Sequence, residues 1–226
     1  MNLTYLGHSS FHIHTKGFNI IFDPFISPNS LASGIDIKNI KSDFILLSHG
    51  HGDHLADAEF LSKQNDSTII SNYEIVSWYE SKGIKGHPMN HGGKRSFEFG
   101  TVKYVNAIHS SMLPDGSYGG APGGFVVWNN EVSFYFAGDT ALTWDMKLIP
   151  ITCPKLDFAI LPIGDNFTMG YEDAVIASDF IQVDKIIACH YDTFGYIKIN
   201  HDAAIKEFKN AGKELILLEP GSSLEF

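Results

Sequence analysis

The chain has 226 residues, of which 44% are hydrophobic, and its 16 basic and 26 acidic side chains give a formal net charge of −10. This length is ample for a substantial buried core, and 17 phenylalanines exclude an intrinsically disordered chain. An acidic chain is a poor general binder of nucleic acid or anionic membranes, whose phosphates need cationic partners. Eleven histidines are about twice the number in an average chain of this size, which makes a metal site plausible.

The two cysteines, Cys153 and Cys189, are too few for a disulfide framework or a four-thiolate zinc site, and we expect both to be buried free thiols. The N-terminal residues lack the pattern of a signal peptide, and no apolar run has the length of a membrane span. We therefore expect a soluble cytoplasmic protein, with no nucleic-acid or membrane partner, that folds as one domain over residues 1–226.

Short apolar runs bounded by turn residues predict strands that alternate with helices in each half of the chain. The predicted strands are 3–6, 11–14, 19–22, 44–47, 68–71, 97–99, 102–107, 124–128, 132–137, 158–161, 185–188, 214–218 and 223–226. The predicted helices are 55–64, 73–82, 142–149, 172–182 and 203–211. This order favours an α/β (α+β) fold in which two sheets pack face to face between outer helices, a four-layer αββα sandwich. The Gly- and Pro-rich segment 113–124 is a predicted loop, long enough to cover a functional site.

Three histidines and one aspartate lie within six residues directly after a predicted buried strand: His49, His51, Asp53 and His54. A spacing of two would place His49 and His51 on different sides of a helix, so the segment does not match the helical His-Glu-x-x-His zinc motif. We expect Gly50 and Gly52 to adopt backbone angles closed to other residues, so that the four side chains point into one cavity. Imidazole and carboxylate donors suit zinc, manganese, iron or nickel. Adjacent Asp53 and His54 cannot easily share an ion with His49 and His51, which suggests two ions.

The pattern His49-x-His51-x-Asp53-His54 after an apolar strand resembles the signature of the metallo-β-lactamase superfamily. That superfamily places a further His, Asp and His at the ends of later strands, and the matching positions are His109, Asp139 and His190. Segments 5–11, 23–25, 138–141 and 162–170 are similar to a bacterial and archaeal branch of metal-dependent hydrolases that lies near L-ascorbate-6-phosphate lactonase. The resemblance covers nearly the whole chain and ends in segment 220–224.

The resemblance implies an enzyme in which two divalent metal ions activate a water molecule, with zinc or manganese as the expected metal and iron or nickel as alternatives. His49, His51 and His109 would hold the first ion. Asp53, His54 and His190 would hold the second, and Asp139 would bridge the pair. The catalytic residues would be Asp53 and Asp139, with Asp53 orienting the water and passing a proton to the leaving group.

Four further residues are candidates for contact with substrate or with the ligand side chains: His8, Asp23, Asn166 and Thr168. His8 lies at a strand-to-turn junction, where an ordinary turn histidine is an equal alternative. Asp23 precedes Pro24, and its side chain would either support a ligand histidine or begin a turn. The remaining histidines are expected to be structural or exposed: His12, His14, His87, His91 and His201.

The resemblance implies a metal-dependent hydrolase of the lactonase or phosphodiesterase type acting on a small molecule, with a phosphorylated sugar lactone as one candidate substrate. The short interval between Asp139 and His190 leaves no room for the large inserted domain of the nucleic-acid-processing branch. The alternative is a metal-dependent small-molecule binding or sensing protein with little turnover. Strand edges and aromatic residues also allow a homo-oligomer.

Overall fold

The computed structural model describes residues 1–226 and contains two seven-stranded sheets. The strands are β1 (Asn2–Gly7), β2 (Ser10–Thr15), β3 (Phe18–Phe22), β4 (Phe44–Leu46), β5 (Thr68–Asn72), β6 (Gly86–Met89), β7 (Lys94–Phe97), β8 (Gly100–Asn106), β9 (Gly123–Trp128), β10 (Ser133–Phe136), β11 (Phe158–Pro162), β12 (Lys185–Cys189), β13 (Glu214–Ile216) and β14 (Ser223–Glu225). The first sheet has the order β14-β1-β2-β3-β4-β5-β6, and the second has the order β13-β12-β11-β10-β9-β8-β7.

Six helices flank the sheets: α1 (Gly52–Leu55), α2 (Ala58–Asn65), α3 (Tyr73–Glu80), α4 (Ile149–Thr152), α5 (Tyr171–Phe180) and α6 (His201–Asn210). Short 3-10 turns lie at Ser30–Ala32, Ile37–Asn39, Trp144–Leu148 and Gly195–Ile197. None of the helices combines the length and the apolar character that crossing a bilayer requires.

The largest apolar cluster lies between the two sheets, because alternate side chains of each strand point to the same face. Phe11 and Phe22 of the first sheet contact Phe136 of the second, with ring centroids 6.3 and 4.9 Å apart. Two smaller clusters bury the outer faces, one under α2 and α3 and the other under α5 and α6. The predicted four-layer αββα sandwich is therefore confirmed.

The carboxyl ends of parallel strands position the polar residues of interest. Strands β3 to β6 run parallel in the first sheet, and β10 to β13 run parallel in the second. Asp23 directly follows β3, His190 directly follows β12, and Asp139 lies three residues after the end of β10. The backbone N–H of His190 donates to the carbonyl of His8 at 3.0 Å, which joins the ends of the two sheets.

Some elements of the structure differ from the prediction. Strand β6 escapes prediction because Gly86 and Pro88 are breaker residues, yet β6 is an edge strand, where proline is tolerated. The predicted strand 97–99 overlaps only the last residue of β7, since Phe99 lies in the turn before β8. The predicted helix 142–149 is a 3-10 turn followed by α4, because Pro150 has no N–H to continue the preceding helix.

Candidate metal centre

The first cluster of donor side chains consists of His49, His51 and His109, whose ligand nitrogens lie within 4.8 Å of one another. His49 and His51 lie between β4 and α1, and His109 follows β8 of the other sheet. Nε2 of His49 is 3.0 Å from Nδ1 of His51, and His49 is completely buried. The structure thus brings together the three histidines that the resemblance assigns to one ion.

The second cluster consists of Asp53, His54, His190 and also His8, with donor atoms within the same 4.8 Å. Asp53 and His54 lie on α1, His190 follows β12, and His8 lies in the turn between β1 and β2. Both clusters therefore draw donors from both sheets. His8, which the sequence pattern left between two roles, lies as close to the others as the three expected ligands.

The carboxylate of Asp139 lies between the two clusters. Its Oδ2 is 3.8 Å from Nε2 of His49 and 3.6 Å from Nε2 of His109 in the first cluster. The same oxygen is 3.3 Å from Nε2 of His54 and 3.0 Å from Nε2 of His190 in the second. One oxygen atom therefore faces histidines of both clusters.

Three buried atoms of the donor residues have no hydrogen-bond partner: Nε2 of His54, Oδ1 of Asp139 and Nδ1 of His190. Buried polar atoms in folded proteins are almost always paired, so unpaired atoms among converging imidazole and carboxylate donors indicate space for a cation. The free thiol of Cys189 belongs to the core between the sheets, and the donor set contains only nitrogen and oxygen. These residues therefore fit divalent cations such as zinc or manganese.

Asp23 is completely buried behind the second cluster. Its Oδ2 accepts hydrogen bonds from Nδ1 of His54 at 2.8 Å and from the Ser48 hydroxyl at 2.5 Å, and its Oδ1 accepts from the Ser48 N–H at 2.7 Å. A carboxylate on Nδ1 keeps the proton there and leaves Nε2 of His54 as a lone-pair donor. Ser48, which the sequence pattern did not single out, also lies 2.9 Å from Nδ1 of His49.

The glycines of the histidine segment act differently from expectation. Neither Gly50 nor Gly52 has a positive φ, so the expected special backbone angles are wrong. Gly50 instead permits close approach, because a Cβ there would lie 3.1 Å from the carbonyl of Met112. The positive φ values fall on site residues themselves, at 57° for His8, 40° for Asp23 and 54° for His190. Such conformations are disfavoured outside glycine and cluster at functional sites.

The loop 113–124 supports the histidine segment and contributes no side chain to the cavity beside it. Trp78 donates to the Asp115 carboxylate at 2.8 Å, and Asn72 donates to the Gly119 carbonyl at 2.8 Å. Ser111, just before the loop, accepts from the N–H of Gly50 at 3.0 Å and donates to Gly119 at 2.8 Å. The loop is therefore tied to α3 and β5 and braces the backbone of Gly50.

A cavity of about 280 Å³ opens onto both clusters, lined by His51, Asp53, His109, Ser110, Asp139, Phe167, His190 and Phe194. No lysine or arginine lines it. Asn166 is exposed, the Thr168 hydroxyl donates to the Met169 carbonyl, and neither belongs to the lining, whereas Phe167 between them does. A larger depression of about 590 Å³ near Lys16 and Glu131 lies at the other end of β2 and has no cluster of donors.

Burial sets the protonation of most histidines in the metal-free protein. It lowers the pKa of His8 to about 4, and it also lowers the pKa of His49, His51 and His109. Burial would lower the pKa of His54 as well, but the carboxylates of Asp139 and Asp23 raise it well above the ordinary value. Neutral imidazoles are the form that binds metal, so most of the first cluster is ready for a cation at neutral pH.

We expect the metal-free protein to lose stability as the pH falls from 7 to 5. The unfolded chain protonates its histidines near pH 6.5, whereas burial lowers the pKa of His8, His49, His51 and His109 in the folded chain, so the unfolded state binds more protons in this range. His8 alone, with a folded pKa of about 4, accounts for a loss of about 2 kcal/mol at pH 5. The raised pKa of His54 opposes the loss above about pH 6, where the folded state already holds a proton that the unfolded chain has only partly taken up, and adds little slope below it. The raised pKa of Asp23 also opposes the loss, so two groups act against four.

Urea unfolding of chelator-treated protein at pH 7.0, 6.0 and 5.0 measures this effect. A free energy of unfolding that stays constant or increases toward pH 5 would contradict it.

Comparison with known proteins places these residues in a family. The family model for the beta-lactamase superfamily domain matches residues 2–190, which include every donor of both clusters. A metal-dependent hydrolase from Flavobacterium johnsoniae is 58% identical over 225 residues, covering 100% of both chains. A metal-dependent hydrolase from Bacillus subtilis is 43% identical over 208 residues, covering 90% of this chain and 91% of the relative.

A solved structure agrees with these relatives. A metallo hydrolase from the hyperthermophilic archaeon Ignicoccus hospitalis is 31% identical and superposes with a TM-score of 0.89, covering 100% of this chain and 98% of the other. The family model and the relatives each cover most or all of the chain, and the fold and the donor clusters are consistent with them. The chain therefore belongs to the metallo-β-lactamase superfamily, among its metal-dependent hydrolases.

Proposed function

We propose that this metal-dependent hydrolase holds two divalent cations, zinc or manganese, and cleaves a lactone or a phosphodiester bond in a small molecule. The observation that carries the proposal is the position of Asp139, whose Oδ2 lies within 4 Å of histidines from both clusters. His49, His51 and His109 would hold one cation, and Asp53, His54 and His190 the other. A carboxylate oxygen between two sets of imidazole and carboxylate donors is suited to bridging two positive ions.

Two bound divalent cations supply Lewis acidity, which lowers the pKa of a water molecule and polarises the bond under attack. Their four positive charges exceed the two negative charges of Asp53 and Asp139. The centre would therefore attract an anionic scissile group even though the chain has a net charge of −10.

Asp53 is the candidate for proton transfer. Its side chain is 27% exposed and lines the cavity, whereas the Asp139 side chain is only 2% exposed. A carboxylate at the cavity surface accepts a proton from the attacking water and returns it to the oxygen of the leaving group. A carboxylate in this position favours an enzyme over the alternative of a protein that only binds or senses a small molecule.

The lining of the cavity favours a substrate with an uncharged substituent. Phe167 and Phe194 line its mouth and are 51% and 37% exposed, so they offer apolar surface to a bound molecule. A phosphate remote from the scissile bond would find no lysine or arginine among the lining residues. We therefore favour lactones or phosphodiesters with an aryl or alkyl substituent over a phosphorylated sugar lactone.

A substrate panel tests the proposal on protein loaded with zinc or manganese, after elemental analysis has counted the ions per chain. We expect about two ions and hydrolysis of aryl or alkyl lactones or phosphodiesters. Phe167→Ala should raise KM for the aryl substrate by about 10-fold with little change in kcat, because it removes buried apolar contact. Phe60→Ala, at an exposed position of α2 outside the cavity, is the matched control.

Two results would count against the proposal. A metal-loaded protein with no rate above background on any substrate would favour the binding or sensing alternative. Faster turnover of phosphorylated sugar lactones than of aryl lactones would contradict the substrate class.

A further inference from the structure

We propose that His8 is a positioning residue that holds the Asp53 carboxylate in place, and that Thr193 fixes the proton arrangement of the His8 ring. This inference rests on the proposed two-cation function, because it assigns His8 to Asp53 instead of to an ion. His8 belongs to the second cluster by distance alone, so its hydrogen bonds decide its role.

Both ring nitrogens of His8 are engaged within the protein. Nε2 lies 3.2 Å from Oδ2 of Asp53, and Nδ1 lies 2.9 Å from the hydroxyl of Thr193. An ionised carboxylate only accepts hydrogen bonds, so Nε2 carries the proton and donates it. The lone pair of Nδ1 then accepts the hydroxyl proton of Thr193, whose other contact, with the Tyr191 carbonyl, is longer at 3.3 Å. No lone pair of the ring remains for a cation.

The backbone of His8 has a conformation that another residue type would adopt more easily. His8 has a φ of 57°, in the left-handed region that favours glycine and asparagine. Its carbonyl accepts hydrogen bonds from the Tyr5 hydroxyl at 3.1 Å and from the His190 N–H at 3.0 Å, which fix the turn. Glycine would be the better residue for a turn with no other role, so the histidine at this position indicates a function for its imidazole ring.

The Asp53 side chain needs such a partner because little else restrains it. Asp53 lies on the four-residue helix α1 and borders the open cavity, while the His8 side chain is completely buried. The hydrogen bond from Nε2 engages Oδ2, the same oxygen that lies 3.9 Å from Nε2 of His54, and so holds it toward the second cluster. His8 therefore selects one orientation of the carboxylate, and supporting partners of this type affect metal affinity by about 10- to 100-fold.

Two substitutions of His8 separate positioning from turn geometry. The amide nitrogen of Gln reaches the place of Nε2, whereas that of Asn reaches only the place of Nδ1. Asn is the better residue for a left-handed backbone, so a purely structural role predicts that His8→Asn is the milder change. If His8 positions Asp53, His8→Gln should be the milder change.

Zinc titration of the chelator-treated variants against a competing indicator gives the dissociation constant of each site. We expect His8→Asn to weaken one site by about 10- to 100-fold and His8→Gln to restore most of that affinity, while the other site stays unchanged in both. Thr193→Val, at a partly exposed position, should weaken the same site to a smaller extent. An affinity for His8→Asn equal to or above that of His8→Gln would overturn the inference.

Nitrogen-15 NMR of the histidine rings in the metal-free protein provides a readout independent of metal binding. We expect the Nε2–H tautomer for His8 in the wild type and a mixture of tautomers in Thr193→Val. An Nδ1–H tautomer in the wild type would overturn the inference. A wild type that binds fewer than two ions would overturn the proposed function, and the tautomer would still test the bond between His8 and Asp53.

Discussion

Asp139→Asn should abolish metal binding at both clusters and lower the hydrolytic rate by at least about 100-fold. Asp139 Oδ2 lies within 4 Å of two histidines of each cluster, and an amide has neither the charge nor the second acceptor oxygen. His109→Ala removes a donor from the first cluster only, so it should chiefly empty one site. Elemental analysis of both variants, together with rates on the substrate cleaved by the wild type, measures the difference.

The matched control for this experiment is Asp145→Asn. Asp145 accepts a hydrogen bond from Asn106 at 2.7 Å, lies outside the cavity of the donors, and should keep both ions and the full rate. Equal loss of metal in Asp139→Asn and His109→Ala would argue against a shared carboxylate. Retention of two ions by Asp139→Asn would exclude it.

Asp23→Asn should weaken metal binding at the second cluster although Asp23 lies behind it. In the wild type, the carboxylate keeps a proton of His54 on Nδ1, so that Nε2 is the nitrogen that would give up its proton to bind a cation. An amide nitrogen facing Nδ1 favours the opposite tautomer, and the resulting Nε2–H cannot bind a cation. We expect an affinity loss of about 10- to 100-fold at this site and a stability loss of about 1–3 kcal/mol from disturbed buried hydrogen bonds.

Asp57→Asn separates the loss of stability from the loss of metal. The buried Asp57 carboxylate accepts from the N–H groups of Ile26 and Ser27 at 2.7 and 2.8 Å and contacts no histidine. Urea unfolding should show a comparable destabilisation in both variants, whereas zinc titration should show weakened binding only in Asp23→Asn. Equal zinc affinities in the two variants would contradict the role of Asp23.

The architecture and the donor clusters were predictable because they depend on local patterns. Apolar runs end at Asp139 and His190, and polar residues at the ends of neighbouring strands meet at one edge of a sheet. The resemblance to the metallo-β-lactamase superfamily, carried by the order of these residues along the chain, assigns His109, Asp139 and His190 to the same site as the segment 49–54. Their role as metal ligands stays a prediction that the experiments above address.

The remaining parts of the site depend on contacts that no local pattern encodes. Thr193 reaches His8 only because the turn after β12 packs against the turn after β1, and it carries no motif of its own. Phe167 lines the cavity in place of its neighbours Asn166 and Thr168, and this choice depends on the path of a loop. The need for glycine at position 50 comes from a segment that is distant in the sequence, because a Cβ at this position would crowd Met112.

Each donor cluster takes residues from both sheets, and this has a consequence for how the protein maintains its fold. A cation bound there would act as a crosslink between the two halves of the sandwich, because separating the sheets would require its release. A ligand present at 1,000 times its dissociation constant adds about 4 kcal/mol to the free energy of unfolding. Metal supply would thus set the resistance of the protein to unfolding and proteolysis as well as its activity.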